Sequence, residues 1–144
     1  MAYCTITDVQ SRLPALFINV LTNDAGGDTL VEAVFNEAVE DADSLINSYL
    51  RSRYSVPFST TPKIVNRIAI DLTIYFLYQR KSDQEISDAI RARYKDSVKL
   101  LEGIQSGIVH IDDVPSPDAE MPVEVKTNKT ASDRMFSRSV LNGY

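Results

Sequence analysis

The chain has 144 residues, 44% of them hydrophobic and 24% charged, with a formal net charge of −5. That is ordinary globular sequence, enough for one domain with one core, and the negative balance excludes a surface built to neutralise nucleic-acid phosphates indiscriminately. A single cysteine, Cys4, excludes an intrachain disulfide, and no apolar run approaches the roughly 18 residues that span a bilayer, so no membrane partner is expected.

The opening MAYCTITDVQ lacks a basic stretch followed by an apolar one, so no secretion signal is expected and the chain is expected to fold in a reducing cytoplasm. Thr5 is placed to cap a helical turn starting at Ile6, with Asp8 near its positive end. Pro14 breaks the pattern, and a second short helix is predicted through Leu16, Phe17, Val20 and Leu21. Asn23 to Asp28, NDAGGD, is a loop of turn-forming residues.

Thr29 and Glu32 have the spacing of a capping box. From Leu30 to Leu50 apolar residues recur at steps of three and four, which predicts an amphipathic helix of about seven turns. Glu32, Glu37, Glu40, Asp41 and Asp43 crowd its first half, leaving one strongly acidic face, while Arg51 and Arg53 close its end. YSVPFSTTP, with two prolines, ends that helix, and Thr61-Pro62 reads as the start of the next. From Ile64 to Tyr78 that next helix is apolar on nearly every side, the mark of a central helix packed by several neighbours.

Ser82 and Glu85 suggest a second capping box. Ile86, Ile90, Tyr94, Val98, Leu101 and Ile104 then form one stripe, and Arg91, Arg93, Lys95 and Lys99 a basic face. Gly107 is a natural helix stop, and Ile108 to Ile111 reads as a short strand or a packed return. Beyond it, DDVPSPDAEMPVEVKTNKTASD has no periodicity. The chain ends on RMFSRSVLNGY, which interleaves Met135, Phe136, Val140, Leu141 and Tyr144 with Arg134 and Arg138. The expected fold is all-α: a small helical bundle of about four to five helices over residues 1–111, then an extended linker and C-terminal arm over 112–144.

Catalytic chemistry has few candidates here. His110 is the sole histidine, Asp112 and Asp113 read as solvated loop acids rather than metal ligands, and Cys4 lacks a cation to activate it. Asp71, inside the apolar helix, reads as a buried carboxylate paired with Arg67 or Arg53. No enzyme activity, cofactor or metal is expected. Arg80 with Lys81, and the basic face, are candidate phosphate contacts, although a solvated helix face is the plainer reading. One acidic helix and one basic helix suit heterologous contacts between copies of the chain, which close into rings.

MAYCTITDVQSRL, SYLRSRYSVPF, TPKIVNRIAIDLTIYFLYQR, RARYKDSVKLLEGIQSG and RMFSRSVLNGY, in that order, resemble the Mu-like phage head–tail connector family. The resemblance implies a structural virion protein made in the host bacterial cytoplasm and located in the virion neck. There it would assemble as a ring, typically dodecameric, under the portal protein and meet the next connector, stopper or tail terminator protein. Double-stranded DNA would pass through its channel without specific binding. On this view Glu32, Glu37, Glu40, Asp41 and Asp43 are channel-lining candidates. Arg91, Arg93, Lys95 and Lys99 are an inter-subunit basic face. Arg134, Met135, Phe136, Arg138, Val140, Leu141 and Tyr144 are a docking segment for portal or a neighbouring subunit. The alternative is a small helical DNA-binding or DNA-packaging accessory protein.

Overall fold

A computed structural model describes residues 2–81, 84–112 and 114. Among them lie five helices: α1 (Ile6–Gln10), α2 (Ala15–Thr22), α3 (Glu32–Leu50), α4 (Lys63–Arg80) and α5 (Asp88–Ser106). The described residues form no strand, so the all-α expectation holds. Most of the arm expected over 112–144 lies outside the described residues.

Local chemistry explains most boundaries. Thr5 and Asp8 form a reciprocal cap: the Asp8 carboxylate accepts from the Thr5 amide at 2.8 Å, and the Thr5 hydroxyl accepts from the Asp8 amide at 3.3 Å. Pro14 separates α1 from α2 as expected. Gly107 ends α5 with φ +79°, where a Cβ would also lie 1.8 Å from Nη1 of Arg53. Only glycine satisfies both conditions.

Three predicted caps are displaced. Thr29 does not cap α3, because the Asn23 side chain donates to its carbonyl and its hydroxyl, both at 3.2 Å. The Val31 amide, the N-cap amide, donates instead to the Thr22 hydroxyl at 3.3 Å, and α3 starts at Glu32 without a side-chain cap. Its 19 residues make about five turns rather than seven. Ser87, not Ser82, caps α5, its hydroxyl accepting from the Ile90 amide at 3.4 Å; Ser82 lies outside the described residues. Pro62 is the N-cap of α4, one position later than the Thr61 expected.

Helix α4 occupies the centre. Val65, Ile68, Ala69, Ile70, Leu72, Thr73, Ile74 and Leu77 are all buried, because α3 and α5 flank it, pack on each other, and α1 and α2 cover further sides. The segment after α3 closes one end of the bundle: Phe58 contacts the rings of Tyr54 and Tyr3. Tyr3 is further held by Asn47, which accepts from its hydroxyl at 2.5 Å, and by Asn66, which donates to its carbonyl at 2.8 Å. The Ile111 amide donates to the Tyr54 hydroxyl at 3.1 Å. The 108–111 segment is thus the packed return, with Ile111 buried and Ile108 82% exposed.

Candidate functional site

The acids of α3 divide into two groups. Glu32, Glu37, Glu40 and Asp41 are exposed, and Glu37, Glu40 and Asp41 share one face because they are three and four positions apart. Asp43 belongs elsewhere. It is half-buried, and both its carboxylate oxygens accept from the Tyr3 amide at 3.3 Å. Burial pushes its carboxyl above the ordinary value, against the opposing effect of that amide. Asp43 therefore ties the start of the chain to α3.

The basic face of α5 also divides. Arg91, Lys95 and Lys99 recur every four residues and form one exposed stripe. Arg93 is offset from it and lines a cleft of about 330 Å³ together with Arg12, Arg67 and Asp71. Asp71 is only 6% exposed, and its carboxylate accepts from Nη1 of Arg12 at 2.7 Å. The pairing expected from sequence, with Arg67 or Arg53, is corrected here: the segment after α1 brings Arg12 to α4, and Arg53 lies against Gly107. Arg67 and Arg93 form no ion pair or hydrogen bond among the described residues. Three guanidinium groups thus converge where one carboxylate is paired.

Arg80 and Lys81 are engaged inside the chain. Lys81 Nζ donates to the carbonyls of Val20 at 2.5 Å and Asn23 at 3.0 Å, and Arg80 donates to that of Leu21 at 3.2 Å and pairs with Asp24. Both cations sit at the negative C-terminal end of α2, which has no basic residue in its own last turn.

The remaining chemical candidates are ordinary. Cys4 is buried and shares a hydrogen bond with Thr73; burial pushes its thiol up to about 11, so it stays protonated at neutral pH. His110 and Asp112 are exposed and line a shallow cavity of about 250 Å³ with Pro62, Lys63 and Ile64. Among the described residues no group of three or more His, Cys, Asp or Glu could hold a metal ion. No helix among them is long and apolar enough to cross a membrane. Asp113 and the docking segment (Arg134, Met135, Phe136, Arg138, Val140, Leu141 and Tyr144) lie outside the described residues.

The family model described as "Bacteriophage Mu, Gp36" matches residues 3–129, nearly the whole chain. The chain belongs to this Mu Gp36 family. The match takes in all five helices and the arginine cleft, and ends before Arg134. Two curated relatives are similar to it. "Gene product J" of Escherichia phage Mu is 26% identical over 139 residues, covering 93% of this chain and 96% of that protein. "Mu-like prophage FluMu protein gp36" of Haemophilus influenzae is 35% identical over 83 residues, 58% of this chain. That second match spans 56% of the relative's length. Membership in a bacteriophage Mu family supports a role in phage structure or morphogenesis.

Proposed function

We propose that this Mu Gp36-family protein is a structural virion component, a head–tail connector that forms a ring under the portal and extends the DNA channel toward the tail. The observation that carries the reading is segregated, unpaired charge on a small helical unit. Glu37, Glu40 and Asp41 are exposed on α3, and Arg91, Lys95 and Lys99 on α5. None of them forms an ion pair among the described residues. A stable monomer gains nothing from sorting charge this way, whereas a heterologous contact between copies uses both signs. The reading is non-enzymatic and needs no cofactor.

In this reading the protein's partners are its own copies, the portal protein and the next neck protein, and duplex DNA passes through the ring's channel without specific binding. The segment from Arg134 to Tyr144 docks on portal or on a neighbouring subunit, its aromatic residues anchoring and its arginines pairing with acids. Cryo-electron microscopy of the phage particle tests the reading: density for this chain as a ring at the portal vertex is the expected result, and its absence from the neck refutes it.

One observation favours a second reading. The Arg91–Lys95–Lys99 stripe puts three exposed cations on one helix face, the residue type that contacts phosphates, as a DNA-packaging accessory would use. Filter binding of duplex DNA across a salt series separates the two, since steep salt dependence with the isolated subunit belongs to the accessory.

A further inference from the structure

The arginine cleft has a surplus that the folded chain does not use. Arg12, Arg67 and Arg93 line it, with Asp71 at its base, and Asp96 lines the adjoining cavity of about 240 Å³ alongside Arg67, Asp71 and Arg93. Three guanidinium groups against two carboxylates leave one positive charge. One incoming carboxylate balances that charge and accepts the forked hydrogen bonds that arginine offers. A duplex backbone is a poorer fit, because it calls for several unopposed cations in a row and here would meet two carboxylates.

The same chain carries the complementary group on its opposite side. Glu37 and Asp41 border Phe76 and Arg80 in a shallow recess of about 210 Å³. Phe76 lies nine positions after Arg67, and Arg80 nine after Asp71. Nine residues are about two and a half helical turns, so the arginine cleft and the acidic recess flank α4 on opposite sides. A contact joining such patches is heterologous, and propagates from copy to copy until it closes.

We propose that the cleft lined by Arg12, Arg67 and Arg93 seats a carboxylate from the Glu37–Glu40–Asp41 face of a second copy of this chain. The inference rests on the ring reading above and assigns it a contact: α3 of one subunit enters between α4 and α5 of the next. Asp71 then has a role beyond folding, because through Arg12 it fixes one of the three guanidinium groups in the cleft.

Phage particles carrying a chain with Glu37→Cys and Arg93→Cys test the contact. Cys4, buried and protonated, does not compete for the cross-link. Mild oxidation is expected to give a ladder of covalent multimers that reducing agent collapses to monomer. A charge swap gives an independent arm. Arg67→Glu with Arg93→Glu, both at exposed positions, lowers incorporation into particles about tenfold or more. Adding Glu37→Arg and Asp41→Arg to that chain restores it, with circular dichroism confirming that each variant folds. If particles hold the protein as a ring, yet oxidation gives only monomer and the arginine reversals leave incorporation unchanged, the ring stands and this contact is overturned. Wild-type particles with no ring would instead overturn the reading beneath it. Loss of salt-dependent duplex binding on arginine reversal, with the ring intact, would assign the cleft to DNA phosphate and overturn the proposal.

Discussion

Two stretches of α4 carry arginine, and they treat it differently. At the C-terminal end, Arg80 and its neighbour Lys81 reach the carbonyl oxygens of Val20, Leu21 and Asn23, so both cations complete the end of α2. Two and a half turns earlier, on the opposite side of the helix, only Arg12 pairs with Asp71, while Arg67 and Arg93 line the same cleft unpaired. Charge at the first site stabilises the monomer. At the second it exceeds what the monomer can use, and a surplus kept on a folded surface points to an interaction outside the chain. Substitutions at the two sites should therefore fail in different assays.

The largest effect on folding is expected at the base of the cleft. Asp71→Ala removes the counter-charge beneath three arginines and leaves Arg12 unpaired, costing about 3 kcal/mol. That figure sits at the low end because the Arg12 side chain is 31% exposed and retains some water. An unfolding free energy lowered by less than about 0.5 kcal/mol would show that the pair does not hold the segment after α1 onto α4. Lys81→Ala comes next, at about 2 kcal/mol, since two carbonyls lose a charged donor. Its signature is a lower unfolding midpoint, with incorporation into phage particles unchanged for whatever remains folded.

Asp8 gives a smaller effect with a defined pH dependence. Hydrogen bonds from Thr5 hold its carboxyl below the ordinary 3.8. The unfolded chain therefore takes up the proton first as pH falls, so the capping contribution is present above about pH 4 and fades below it. The site is solvent-screened, so Asp8→Asn should cost only about 0.5–1 kcal/mol at neutral pH. The same change should flatten the loss of stability below pH 4. A wild-type slope retained in the variant would assign the acid sensitivity to another carboxylate.

Much of this arrangement was legible in the chain. The Thr5–Asp8 cap, the break at Pro14, the central α4 and the stop at Gly107 follow from local chemistry that tertiary contacts left undisturbed. The Thr29 cap failed because Asn23, six residues upstream, engages that threonine in a loop whose hydrogen bonds no local pattern announces. Asp71 was recognisable as a buried carboxylate, but its partner was not. Arg12 reaches it only because α1 packs on α4, a contact spanning 59 positions that helical periodicity does not encode. The cleft was hidden for a related reason. Arg93 reads as one of four basic residues on α5, yet its two-residue offset from Arg91 turns it to the side of the helix that meets α4. Only the packing reveals that Arg12, Arg67 and Arg93 share one space.

The smallest expected change in stability is the most informative. Arg67 is exposed and forms no ion pair among the described residues, so Arg67→Ala should change the unfolding free energy by no more than about 0.5 kcal/mol. If its guanidinium serves a neighbouring copy, the same substitution should nevertheless lower incorporation into phage particles, because an interfacial carboxylate would then lose one of its donors. Lys81→Ala predicts the reverse, with stability lost and incorporation kept. Equal loss of stability from both would mean that Arg67, like Lys81, is spent inside the fold. The difference between the two ends of α4 would then disappear, and with it the reason to read the cleft as an interface.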